Sequence, residues 1–222
     1  MSMSRSNRSS RPNRSGWRVA PLVTAACAAA TLAAPVAVHA EFEKSSVYWV
    51  SPGTPEIVAA AETSAGYVLA YTNSGAESVG FLGIDTVPGG NQPTELAVLD
   101  LAAAFPGEPQ AEPTSVAATP DGLWFVVAVN TSVDAPNGGS GIAAVVSAES
   151  AAAGTPTIVA TFDLPGQPDS VAASKGKSNY VAIVIENETD EDSGNNLGVG
   201  TLVSLQTKPR QKPEKWKAST ID

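Results

Sequence analysis

The residues in this chain best suited to chemistry are carboxylates. Glu186, Glu188, Asp190, Glu191 and Asp192 crowd into one stretch, with Asn187, Asn195 and Asn196 among and beyond them. Adjacent carboxylates repel unless water solvates them or a hard cation neutralises them, and Ca²⁺ takes about six to eight oxygen ligands. Glu186, Glu188, Asp190 and Asp192, assisted by Asn187, are therefore the candidate ligands for Ca²⁺ or another divalent cation. Their spacing fits neither an EF-hand loop nor a glycine-rich nonapeptide repeat. The alternative is a solvated acidic loop with no ion.

Other chemistries are excluded by residue type. The single cysteine, Cys27, and the single histidine, His39, both precede Glu41. Residues 1–40 read as an export signal: Arg5, Arg8, Arg11, Arg14 and Arg18 precede an alanine-rich apolar stretch, and Val38-His39-Ala40 offers a cleavage site. An uncleaved anchor and an acylated Cys27 are the alternatives. Pro21 and Pro35 interrupt the run against the first, and Thr24 stands where the second needs an aliphatic residue. Cleavage leaves residues 41–222 without thiol or imidazole, so no Ser-His-Asp or Cys-His system and no thiolate or histidine zinc site is available there. The expected location is periplasmic or extracellular, with no stable membrane span after cleavage.

Charge segregates too. Five of the 13 basic residues and none of the 22 acidic ones lie in the signal, so the remainder carries 8 − 22 = −14. No Lys or Arg occurs between Lys44 and Lys175. Such a surface repels nucleic acid and anionic membrane. The basic stretch Lys208–Lys217 reads as a solvated loop, with Trp216 as a packing aromatic.

The elements that hold the acidic run recur. Pro55-Glu56-Ile57-Val58-Ala59, Pro113-Thr114-Ser115-Val116-Ala117 and Pro168-Asp169-Ser170-Val171-Ala172 each lead into a β-rich run ending on Asn73, Asn130 or Asn187. The asparagines are 57 residues apart both times (130−73 and 187−130). Each copy divides into four β-segments separated by Gly, Pro, Asn and Ser, the size of a propeller blade. The fold expected is all-β: a β-propeller of four-stranded antiparallel blades, about three of them, spanning roughly 55–103, 113–164 and 168–222. A β-sandwich is the competitor.

The second strands, such as Phe125–Val129 and Val181–Ile185, are apolar on both faces, as strands covered on both sides are. A strand at 46–50 is expected to complete a last blade absent from this sequence. Rings take about four to eight blades, so three make an incomplete ring with two open faces. The expected partners are missing blades or a downstream domain, or further copies of the chain through those faces. The asparagines suit strand ends because they tolerate left-handed backbone and bond their own loops. Blade geometry would place Ser115, Asp169 and Ser170 near them, on the rim of a central channel.

Tyr71-Thr72-Asn73-Ser74-Gly75-Ala76-Glu77, Gly166-Gln167-Pro168-Asp169-Ser170-Val171-Ala172 and Ile185-Glu186-Asn187-Glu188 resemble the choice-of-anchor I family of secreted bacterial proteins. These are alkaline phosphatase-like, and join a YVTN-type propeller to a phytase-like esterase domain. The resemblance covers about residues 47–222 and implies a ring of roughly seven blades within a longer protein. Lys175-Gly176-Lys177 departs from the family's Pro-Asp-Gly turn.

Two functions follow. One is an exported scaffold or binding module. The alternative is a metal-dependent phosphoesterase in which the acidic run cradles the metal, since metals activate water without histidine.

Overall fold

Four-residue and five-residue helices are the only α-helices among the described residues; everything else regular is strand, apart from two short 3-10 turns. The computed structural model describes residues 48–84, 93–108, 110–133, 139–174, 179–186, 201–207 and 211–221. Residues 1–40, expected to be an export signal, lie outside them.

Twelve strands form three antiparallel sheets. β1 (Pro55–Thr63), β2 (Gly66–Asn73), β3 (Ser78–Ile84) and β4 (Thr94–Asp100) pair in chain order. So do β5 (Glu112–Ala118), β6 (Trp124–Asn130), β7 (Gly141–Ser147) and β8 (Ile158–Leu164). The third sheet holds β9 (Gln167–Ala173), β10 (Tyr180–Glu186), β11 (Thr201–Gln206) and β12 (Lys217–Ile221). The three-part division expected from the repeat is thus present, four strands to each part.

Turn chemistry sets these hairpins. At Thr119-Pro120-Asp121-Gly122 the Gly122 N–H donates to Thr119 O at 2.9 Å, and Asp121 Oδ1 accepts from Leu123 N at 3.2 Å. Gly122 has φ +70°, which a side chain would resist. After β4 comes α1 (Leu101–Ala104), capped where Asp100 Oδ1 accepts from Ala103 N at 2.9 Å. A second helix, α2 (Ala148–Ala152), occupies alanine-rich sequence. Ser147 caps it by accepting from Ser150 N, and Gly154 at φ +77° follows its end.

Residues 43–222 form one compact unit in which the sheets stack in series. One face of the first sheet, with Val68, Ala70, Val79 and Phe81, packs on Phe125, Val127 and Val129 of the second. The second sheet's opposite face, with Val126, Ala128, Ala143 and Val145, packs on Val181, Ile183 and Ile185 of the third. The middle sheet is therefore covered on both faces, and Phe125 to Val129 are all fully buried. That fits the doubly apolar reading of β6. The same reading fails for β10, whose burial alternates and leaves Val184 42% exposed. Among the described residues no other sheet stacks on that side of the third sheet.

The ladders also revise the period. Pro113 pairs with Val129 and Pro168 with Ile185, a separation of 56 (185−129). Alternation demands the even number: Phe125, Val127 and Val129 face the preceding sheet, and so do Val181, Ile183 and Ile185. A shift of 57 would turn each equivalent residue to the opposite face. Accordingly Asn73 pairs with Pro55, whereas Asn130 pairs with Glu112 one residue further along. The asparagines recur at strand ends without being equivalent positions. A β-bulge near the start of each first strand accompanies its proline.

First strands of successive sheets are neighbours, β1 beside β5 and β5 beside β9. Each second strand also meets the first strand of the next sheet, β2 with β5 and β6 with β9. Tyr48–Val50, expected as a strand, are irregular; the sheet they would complete is not among the three.

Candidate functional site

The polar residues singled out by the repeat gather where second strands end and first strands begin. Asn73 is buried there. Its Oδ1 accepts from Thr54 N at 2.9 Å and its Nδ2 donates to Pro52 O at 3.1 Å. Gly53 runs against the Asn73 amide at φ +130°, and a Cβ there would fall on that amide. Thr54 Oγ1 then shares a hydrogen bond with Ser74 Oγ at 2.9 Å and accepts from Gly75 N at 3.1 Å. Asn73 thus clamps the approach to β1.

Asn130 works on its own loop, accepting from Ser132 N at 2.9 Å. Around it Ser132 Oγ donates to Ser140 O at 2.9 Å, Ser140 N donates to Ser132 Oγ at 2.7 Å, and Thr131 Oγ1 and Ser140 Oγ share a bond at 2.9 Å. Thr131 and Ser132 are buried. Asn73 and Asn130 therefore both spend side-chain amide groups on loop geometry.

Ser115 is not on an open rim. It is buried, and its Oγ accepts from the Val171 N–H at 3.0 Å, joining β5 to β9. This residue ties the second sheet to the third, a role that a serine inside a β-run does not announce. Asp169 and Ser170, on β9, are exposed. Glu186 is exposed at the end of β10, where it pairs with Gln167. Asn187, Glu188, Asp190 and Asp192 lie outside the described residues. Among the described residues no three of His, Cys, Asp and Glu converge to hold a metal.

Elsewhere a cavity of about 150 Å³ opens beside the first sheet, lined by Tyr67, Val68, Ile84, Leu96 and Ala152 with Ala65, Gly83 and Thr94. Its wall carries no carboxylate; Tyr67 and Thr94 supply its polar side chains. Between the first two sheets, Glu149 of α2 accepts from Ser64 N and Ser64 Oγ, both at 2.8 Å. Those donors favour the ionised form and hold its pKa below the usual glutamate value. Tyr48 donates to Glu95 of β4 at 2.9 Å, which raises the tyrosine pKa, chiefly through that bond. Tyr71, on the same side, is raised by burial first and then by Glu95.

Trp216 is buried against the third sheet's core, its indole N–H donating to Gln211 O at 3.2 Å, as a packing aromatic should be. No helix of the described residues is long and apolar enough to cross a membrane. No family model matches the chain, and no curated protein matches it.

Proposed function

We propose that this chain is an exported, non-catalytic β-propeller scaffold or binding module, carrying three blades of a larger ring and akin to the propeller part of the choice-of-anchor I, alkaline phosphatase-like proteins. The observation that carries the ring is the repeated neighbour relation. First strands lie side by side from sheet to sheet, and each second strand meets the next first strand. A sandwich, with two sheets facing once, has no reason to repeat that relation.

The observation that carries the non-catalytic reading is the use of the polar side chains. Asn73, Asn130, Ser115, Ser132 and Ser140 all hold backbone or one another. A catalytic group needs an unspent atom at the reacting centre, with a partner to activate it.

The metal-dependent phosphoesterase remains the alternative, and the carboxylate run beginning at exposed Glu186 favours it. Hydrolysis of a phosphate monoester by the purified chain, with and without millimolar Ca²⁺, separates the two. The scaffold reading predicts turnover no faster with the chain than with buffer under either condition. Robust Ca²⁺-dependent turnover would overturn it in favour of the phosphoesterase. Thermal melting in the same titration reports on the ion alone: binding to the native chain raises Tm, whether or not hydrolysis occurs.

A further inference from the structure

Two buried side chains on the first sheet are not explained by its packing on the second. Tyr71 of β2 and Leu82 of β3 are each 7% exposed, yet among the described residues neither belongs to a core between sheets. Strand alternation gives the reason. Val68, Ala70, Val79 and Phe81 face the second sheet, so Leu69, Tyr71 and Leu82 face the other way. The Tyr71 ring lies across β3, since a Cβ on Gly80 would fall on it. The cover over these residues is local: Val58 and Val98 share the face yet are 61% and 50% exposed.

The segment Tyr48–Thr54 is anchored on both sides of the covered residues. At one end the Tyr48 hydroxyl donates to Glu95 of β4 at 2.9 Å, and Glu95 pairs with Leu82 across the ladder. At the other end Asn73 of β2 holds Pro52 and Thr54, and Thr54 Oγ1 engages Ser74 and Gly75. The anchors are two strands and four residues apart, a diagonal of about 16 Å at usual strand spacings. Tyr48 to Pro52 reaches about 14 Å at full extension. With the tyrosine side chain it spans that diagonal only by running nearly straight over β3. Trp49 stands outward, 85% exposed, while Tyr48 and Val50 on either side of it are partly covered. Tyr48 also feels the charge of Tyr71, and both feel Glu95.

The two anchors differ in strength. The Asn73 clamp comprises four hydrogen bonds, two of them partly buried, and it closes on Gly53, whose φ of +130° suits glycine. The Tyr48 anchor is one exposed hydrogen bond, which water replaces at small net cost.

We infer that Tyr48–Thr54 is a strap that covers Tyr71 and Leu82, hinged at Gly53 and latched by the Tyr48–Glu95 hydrogen bond. It does for this face what neighbouring sheets do for the middle one. Any segment that packs on Tyr71 and Leu82 must first displace it. The inference requires the first sheet alone, not the proposed ring.

The test is nitration of the purified chain by tetranitromethane, located by mass spectrometry. In the wild type Tyr71 should be protected, while Tyr67 and Tyr180, 40% and 45% exposed, react. Tyr48→Phe and Glu95→Ala each remove the latch and should raise the nitration rate of Tyr71 roughly 2- to 10-fold. Tyr67, Tyr180 and the circular dichroism spectrum should not change. Glu95→Gln keeps an acceptor without the charge, so Tyr71 should stay nearly as protected as in the wild type. The wild type supplies a second reading should a variant fail to fold. Lifting a strap exposes little surface, so Tyr71 nitration should depend only weakly on urea below the unfolding transition.

Protection of Tyr71 that survives Tyr48→Phe overturns the inference. So does a rise with Glu95→Gln equal to that with Glu95→Ala, which would make the charge, not the latch, the cause. A urea dependence as steep as that of global unfolding overturns it too, since Tyr71 would then open only with the whole sheet.

Discussion

Phe125→Ala should lower the unfolding free energy by about 3–5 kcal/mol, seen in thermal melts as a loss of roughly 10 °C in Tm. Phe125 is fully buried on β6 and points at the first sheet. Its ring meets Phe81 of β3 with centroids 5.9 Å apart and planes tilted by 52°, a favourable aromatic geometry. Its neighbours Val68, Val79, Leu101 and Val146 are held by paired strands or by a capped helix, so they cannot collapse into the space left behind. The cost is the lost transfer energy plus that of the cavity. Val133→Ala, at a site 74% exposed, should change stability by less than about 0.5 kcal/mol. A loss under about 1 kcal/mol for Phe125→Ala would mean that the first two sheets do not meet there.

Ile183→Ala probes the second contact and should cost about 2–5 kcal/mol. Ile183 pairs with Val171 and Val203 within its sheet and is fully buried against the rear of the middle sheet. The adjacent Val184 points the other way and is 42% exposed. Val184→Ala should therefore cost under about 1 kcal/mol. Denaturant melts of the two variants give the comparison. Equal losses for Ile183→Ala and Val184→Ala would contradict the facing of β10.

The division into three four-strand parts could be read from the prolines and the Gly- and Asn-rich breaks, because turn residues mark where strands must stop. The burial of β6 could also be read, since Phe125 to Val129 hold no polar residue. For β10 the same apolar run misleads. Burial depends on what stacks against a strand, and among the described residues no sheet lies on the rear of the third one. Asn73 and Asn130 marked strand ends correctly but gave a period one residue too long, because a residue chosen for its loop bonds need not keep a face. α2 escaped notice because five residues of alanine-rich sequence are too short for a helical pattern; its Ser147 cap at the end of β7 supplies what the pattern lacks. Ser115 reads as an exposed rim serine, and only the approach of Val171 from the next sheet gives its hydroxyl a task. Of the acidic run, Glu186 alone lies within the described residues.

The central claim is that the repeat builds sheets stacked in series around an axis, not a sandwich. An experimental structure of the purified chain, by crystallography or electron microscopy, tests it most directly. The account predicts β1, β5 and β9 side by side at the centre, β4, β8 and β12 at the periphery, and the middle sheet covered on both faces. Two sheets closed on a single shared core, with β6 open to solvent on one side, would contradict it.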